Sequence, residues 1–297
     1  YLKNEEEFQK RVDKDATAFK PLGKKIYSYA RPAEGKSGAK DKGKGKAATG
    51  RGFTTVSEDD EDAVVYEVYW ANWETPGFRE YHRRMQLFVL LYIEGGSYIQ
   101  EDEDKWEFVV LFEKRRRRDE ARTPVYHFVG YSSLYSFYCW PDKVRLRLSQ
   151  FVITGPYQSQ GHGAALYKAI YEYTLARDGI AELTVEDPSE AFEDLRDKCD
   201  LRMLFRHREF MAEAYGLSEE LAMDGGAEVP AAIASPPAGK GKLGPPTDKE
   251  WAERWRKKLK IAGEILSQLE KEERIEKLEE TFASVRDDYQ RILGLVE

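Results

Sequence analysis

Residues 149–167 read SQFVITGPYQSQGHGAALY. An apolar strand runs into a short loop with two closely spaced glycines, and the loop opens directly into a helix. The segment from Gln158 to Ala164 offers a row of backbone N–H groups with little side-chain obstruction. Gly161 and Gly163 let that backbone come close to a ligand. The helix behind adds about half a positive charge at its N-terminus. Together these features make an anion site suited to a pyrophosphate. Nucleotides, coenzyme A and flavins all use such loops, so the local physics specifies only a phosphorylated cofactor.

Spacing narrows the choice. A P-loop needs Lys-Ser/Thr after its last glycine, and Ala164-Ala165 stand there. A dinucleotide fingerprint needs a third glycine three residues on, where this chain has Leu166. The remaining pattern, Gln158-x-x-Gly161-x-Gly163, resembles the acetyl-CoA loop of the GNAT acetyltransferase superfamily.

Composition sets bounds around that loop. The chain has 297 residues, 41% hydrophobic and 13% aromatic, enough for one large domain or two small ones. No apolar run approaches the ~20 residues of a membrane helix, and no secretory signal opens the chain. Cys139 and Cys199 lie far apart without metal-type spacing and read as reduced thiols. With four scattered histidines they argue against a metal site. The net charge of −7 argues against general nucleic-acid binding and suits a basic protein substrate.

Around the loop, periodicity predicts a helix within 2–20, a strand at 64–70 and a helix at 79–93 that ends at Gly95-Gly96. Strands follow at 105–113, 125–138 and 145–153. In the last, Arg145, Arg147 and Ser149 face outward, and Leu146 and Leu148 inward. A helix at 163–176, a buried strand at 180–185 and helical residues over 191–217 come next, with Pro188 at that helix's start. Two more helices, 249–269 and 275–295, follow a Gly/Pro/Ala-rich linker. The order implies an α/β domain with a twisted mixed sheet flanked by helices, plus a C-terminal helical segment.

Five further segments, in order, carry a closer resemblance: FREYH at 78–82, YIEGGSYI at 92–99, VGYSSLY at 129–135, RLSQFVI at 147–153 and TVEDPS at 184–189. With the loop, they closely resemble the catalytic subunit of type B histone acetyltransferases, a GNAT family, over about residues 64–220. The resemblance implies a GNAT-like sheet. It also implies acetyl transfer from acetyl-CoA, without a metal, to lysines of newly made histone tails, the smallest core histone favoured. A WD-repeat histone chaperone is the implied partner, in cytoplasm and nucleus, with no direct contact to nucleic acid or membrane.

On this reading residues 1–32 are the end of a truncated N-terminal module, since the chain opens on Tyr1. Residues 33–62 are a disordered insertion, 63–222 the acetyltransferase domain, 223–247 a flexible linker and 248–297 the C-terminal helical segment. The resemblance places the thioester and pantetheine along the main chain of Phe151, Val152 and Ile153. The pyrophosphate falls on Gln158, Ser159, Gln160, Gly161, His162, Gly163 and Ala164, and Ser189 is a further cofactor contact. His162, inside the loop, reads as a loop-geometry or surface residue rather than a base.

Amine attack needs a neutral lysine, and removing its proton near pH 7.4 costs about 4 kcal/mol from a pKa of about 10.4. A carboxylate near the thioester is therefore expected. Glu186 is the leading candidate, with Glu94 and Asp187 assisting; Asp187 is alternatively the cap of the following helix. Two other functions stay open: an N-acetyltransferase for another protein or small amine, and a non-catalytic histone-binding subunit. The Lys/Gly runs at 43–47 and 239–243 look like acetyl-acceptor tails, and read as tethered pseudosubstrates, autoacetylation sites or ordinary flexible linkers.

Overall fold

The computed structural model describes residues 4–32, 63–117, 122–216, 241–242 and 248–261. The insertion expected at 33–62, most of the linker, the helix expected at 275–295 and the 43–47 motif lie outside the described residues.

β3 (Trp106–Arg116) shows why the sheet is central. Its core, Glu107 to Glu113, is buried without alternation, as expected of a strand covered on both faces. Val109 and Leu111 face one hydrophobic cluster, and Phe108, Val110 and Phe112 face another. The sheet has six strands in the order β1 (Lys24–Pro32), β2 (Ala63–Asn72), β3, β4 (Pro124–Cys139), β5 (Lys143–Ile153) and β6 (Ile180–Val185). All neighbours are antiparallel except β5 and β6, which are parallel. The mixed sheet agrees with the sequence reading. β1 is an addition to it, and it pairs with β2 across residues 33–62.

Helix α1 (Glu5–Ala18) opens the chain behind an Asn4 cap whose side chain accepts from the Glu7 amide at 2.8 Å. α2 (Phe78–Tyr92) buries Phe78, His82, Met85 and Val89 on one sheet face. On the other face lies α3 (His162–Leu175). Its buried Leu166, Ile170 and Thr174 recur every fourth residue, with Tyr167 and Tyr171 beside them. The crossover from β5 through α3 to β6 makes the parallel pair possible.

α4 (Glu190–Arg206) and α5 (Arg208–Tyr215) fill the stretch expected to be helical. They break at His207, whose ring caps α5 by accepting from the Phe210 amide. α6 (Lys249–Lys258) packs Trp251 and Trp255 against α5. After it, Ile261 pairs with Leu183 on the free edge of β6. Lys242 is held beside the end of α5, its amide donating to the Glu213 carbonyl at 3.1 Å.

Candidate active site

The site begins with an irregularity in β5. Ser133 of β4 faces Gln150, and the next residue, Leu134, faces Leu148. Ser149 is therefore an extra residue, a β-bulge. The bulge reverses the alternation of the strand. Leu146 and Leu148 face the α3 side before it, and Phe151 and Ile153 face that side after it. Val152 turns to the α2 side.

At the same point β5 and β6 part. Their pairing ends at Leu148 and Val185, with one last bond from the Glu186 amide to the Leu148 carbonyl at 2.9 Å. Beyond it, residues 150–153 stay joined to β4 alone among the described strands. The Thr154 amide donates to Val129 of β4. Alternation then turns the backbone groups of Phe151 and Ile153 the other way, into the gap. The three residues expected to hold a thioester arm thus form an open strand edge inside the sheet. Gly130 opposite them admits no side chain, because a Cβ there would lie 2.2 Å from the Val152 carbonyl oxygen.

This edge leads into the anion loop. A 3-10 turn, Gly155–Tyr157, is held by the Tyr92 hydroxyl, which accepts from the Gly155 amide at 3.0 Å. Ser159 and Gly161 are both left-handed, with φ of 58° and 80°. Alternating handedness of this kind turns successive amides into an anion-binding concavity. Gly161 is the N-cap of α3 and makes no side-chain capping bond. The first amides of the helix, from His162, Gly163 and Ala164, consequently lack intrahelical partners. The Gln158 side chain donates to the Ile153 carbonyl at 2.8 Å, and that of Gln160 to the Pro156 carbonyl at 2.7 Å. Gly163 packs tightly beneath, where a Cβ would sit 2.8 Å from Leu195.

His162 is buried and is not a surface residue. Its ring lies against Tyr66, with centroids 4.4 Å apart. Burial, and secondarily the Arg31 charge, push its pKa down to about 4. Only its backbone N–H can serve a ligand.

A groove of about 570 Å³ adjoins the loop, lined by Ser159, Gly161 and Ala164 on one side and by α4 on the other. Lys198 and Arg202 bring two cations to it. Lys198 is also paired with Asp194 at 2.7 Å. Sequence reading missed both cations, although residues 191, 194, 195, 198, 199 and 202 fall on one helical face. Cys199 lines the same groove, and burial raises its thiol pKa to about 11, which keeps it a thiol.

Glu186 and the loop that carries Glu94 are both anchored beside the bulge. Glu186 is exposed at the end of β6, and Ser149 donates to its Oε2 at 2.6 Å. The neighbouring Gln150 donates to the Ser97 carbonyl at 2.9 Å, three residues beyond Glu94. The Glu94 loop and Glu186 are therefore tied to adjacent residues of β5, whose Cα atoms are about 3.8 Å apart. Asp187 is exposed and left-handed, with φ of 37°. It does not cap α4. Ser189 does, accepting from the Phe192 amide at 3.4 Å.

On the α2 side of the sheet an aromatic ledge was also missed. Trp106 and Tyr135 are cross-strand partners with ring centroids 4.8 Å apart, and Phe137 lies 4.7 Å from Tyr135. Arg147 stacks over Phe137 at 4.4 Å. The strand pairing puts Arg147 beside Thr184, two residues before Glu186. The ledge and the base candidate thus share one region.

The family model described as "Histone acetyl transferase HAT1 N-terminus" matches residues 1–94. A histone acetyltransferase type B catalytic subunit of Cryptococcus neoformans var. neoformans serotype D is 47% identical over 334 residues, covering 99% of this chain and 74% of that protein. One from Mycosarcoma maydis is 42% identical, covering 98% and 66%. One from Rattus norvegicus is 34% identical, covering 66% and 40%. Among solved structures, an aminoglycoside acetyltransferase from a soil metagenomic sample, in complex with sisomicin, has a TM-score of 0.33 at 12% identity. It covers 45% of this chain and 86% of its own, a likeness too loose to argue from. The matches along nearly the whole of this chain decide the matter: this chain belongs to the histone acetyltransferase type B catalytic subunits.

Proposed function

We propose that the chain transfers acetyl from acetyl-CoA to the lysine ε-amine of free histone tails by direct attack, with Glu186 as general base. The observation that carries this reading is the parting of β5 and β6 at Ser149. It opens a strand edge that leads into an amide-lined loop and fixes Glu186 where the two strands separate.

The residues present suit this co-substrate. The amide and carbonyl of Phe151 and the amide of Ile153, whose carbonyl already accepts from Gln158, would pair with the amides of an extended pantetheine arm as an added strand does. Amides from Ser159 to Ala164 would hold the pyrophosphate, and Lys198 and Arg202 add positive charge along the groove. Acetyl-CoA would supply a thioester whose acyl carbon takes the amine nitrogen as the carbon–sulfur bond breaks, with coenzyme A leaving as a thiolate that takes up the proton the new amide nitrogen sheds.

The protein's part is to deliver that amine unprotonated. Glu186 takes the ammonium proton, held in place by Ser149. A positioned base of this kind contributes typically 10²–10⁴-fold. Glu94, on the loop tied to Gln150, and Asp187, next in the chain, add negative charge that favours a cationic side chain entering the site. The aromatic ledge of Trp106, Tyr135 and Phe137 offers faces for the lysine stem and its charge. A lysine- and glycine-rich tail, such as that of the smallest core histone, suits both. The reading includes a WD-repeat histone chaperone as partner and residence in cytoplasm and nucleus, which copurification and fractionation would test.

The test is acetyl transfer from labelled acetyl-CoA to a free histone-tail peptide by the parent chain and Glu186→Gln. We expect kcat to fall about 10²–10⁴-fold with the affinity for coenzyme A unchanged. Undiminished transfer would remove Glu186 from the role of base. A small amine acetylated better than the peptide would overturn the substrate assignment.

A further inference from the structure

β1 reaches the anion loop from behind. Arg31 Nη1 donates to the Gln160 carbonyl and lies 3.4 Å from His162 Nε2. Tyr29 Oη lies 2.6 Å from His162 Nδ1. A guanidinium keeps its protons, so His162 Nε2 accepts, and the neutral ring donates from Nδ1 to Tyr29. The guanidinium also rests over the rings of Tyr29 and Tyr66, at 5.3 and 5.7 Å. Beside them Tyr157, in the 3-10 turn, donates to the buried carboxylate of Glu113 on β3 at 2.6 Å. Side chains from three strands therefore grip the loop from one side.

This grip has a direction. In a backbone of alternating handedness the amides gather on one side and the carbonyls on the other. Gln160 sits between left-handed Ser159 and Gly161. With its carbonyl bound to Arg31, that peptide cannot rotate its oxygen toward an anion without losing a charge-assisted bond. His162, the first residue of α3, is pinned by the same pair of side chains.

We propose that Arg31 and Tyr29 are positioning residues for the cofactor loop, holding Gln160 and His162 so that the amides of residues 159–164 stay aimed at the pyrophosphate of acetyl-CoA. This rests on the reading that the loop binds acetyl-CoA. It makes β1 part of the cofactor site, although residues 33–62 separate it from the rest of the sheet.

Steady-state kinetics with a histone-tail peptide, together with calorimetric binding of coenzyme A, test it. Arg31→Ala should raise the acetyl-CoA KM about tenfold, leave kcat at saturation within about twofold, and leave the peptide KM unchanged. Arg31→Lys, which keeps a cationic donor but not the planar fork, should recover part of the loss. Should Arg31→Ala not fold, Tyr29→Phe carries the test, with an expected rise in KM of about threefold. An unchanged KM in the folded variants would overturn the proposal. So would a fall in kcat at constant KM, which is what loss of folded enzyme alone produces.

Lys198→Glu, across the groove, separates this inference from the reading beneath it. If Lys198→Glu weakens coenzyme A binding and the Arg31 and Tyr29 variants do not, only the brace fails. If Lys198→Glu also leaves binding unchanged, the cofactor assignment falls and the brace with it.

Discussion

Lys260 is the residue whose loss should separate stability from catalysis. Its ammonium donates to the carbonyls of Thr174, Leu175 and Arg177 at 2.9, 3.2 and 2.6 Å. Two of these end α3, where the Thr174 carbonyl also accepts from the Arg177 amide at 3.3 Å; the Arg177 carbonyl also accepts from the Ile180 amide at 3.0 Å. Its own carbonyl accepts from Leu183 of β6 at 2.9 Å. One residue thus joins the C-terminal segment to the end of α3 through its side chain and to the sheet edge through its backbone. A buried hydrogen bond to a charged group is worth about 1.5–3 kcal/mol. Lys260 is half-buried and water can replace part of the set, so about 2 kcal/mol for the three is the reasonable sum, plus ~0.5 kcal/mol from the helix dipole. Lys260→Met should therefore lower the melting temperature by about 5–10 °C, at about 2–4 °C per kcal/mol for a chain of this size. Lys260 also holds a left-handed φ of 53°. Lys260→Asn loses the same bonds but tolerates that φ better, so it should be about 0.5–1 kcal/mol less destabilised than Lys260→Met. The loop is at the other end of α3, about 21 Å away for 14 residues, so the acetyl-CoA KM should not move. Thermal melts and initial rates read both quantities. Equal melting of the Met and Asn variants would refute the backbone argument, and a parent-like Met variant would refute the cap.

Three further predictions concern protons and the Glu186 carboxylate. Burial holds both His82 and His162 down to about pKa 4, while an unfolded histidine titrates near 6.5. The unfolded chain therefore takes up protons that the folded one refuses, and stability should be lost as pH falls from about 6.5 toward 4. His82→Phe, which fits among Trp73, Phe78 and Phe108, should flatten that acid limb in melts at stepped pH; an unchanged limb would count against it. Asp200 works in the opposite sense. Burial beside Tyr167 raises it to about 7, so its contribution fades as pH rises through 4–7, and Asp200→Asn should melt higher relative to the parent at pH 8 than at pH 5. Ser149→Ala should lower kcat roughly fivefold, the equivalent of ~1 kcal/mol for a partly exposed bond to a carboxylate. The acetyl-CoA KM should stay fixed and Ser149→Thr should restore the rate; a kcat equal to the parent's would show that Glu186 needs no anchor.

Where the signal was local, the sequence could be read. The uninterrupted apolar run of β3, the alternation of Leu146 and Leu148, and the four-residue recurrence in α3 each reflect what covers that segment, so strand and helix types followed directly. β1 escaped because its stretch, KKIYSYARP, carries a register shift between Lys25 and Tyr27 that breaks the alternation. Its partner strand also begins only at Ala63. The bulge at Ser149 escaped for the same reason. Alternation predicts Ser149 facing outward with Arg147, and nothing in the residue names says that the count slips there. In the site, the glycine loop was legible because consecutive residues supply its chemistry. The bond between Ser149 and Glu186 joins residues 37 apart, and the bond between Arg31 and Gln160 joins residues 129 apart.

The bulge and the open edge are one device. Parallel strands that stay paired present no backbone donors between them, and a strand at the rim of a sheet offers its groups to any passing chain. A ligand that binds as an added strand needs an edge that is open yet sheltered. Parting β5 from β6 only beyond Leu148 supplies it, because the first half of the pair still fixes the geometry of the second. The slip at Ser149 then returns Phe151 and Ile153 to the α3 side, where they pack with Phe192 and Leu195, while their amides face the gap. It also leaves the hydroxyl of the extra residue on the carboxylate at the end of β6. Without the bulge, Phe151 and Ile153 would turn toward α2, and Val152 would lose its place beside Tyr131 in the opposite cluster. One inserted residue therefore keeps both hydrophobic faces closed beside the open edge and sets its hydroxyl on Glu186, so the edge, the packing and the carboxylate come together at one point of the strand.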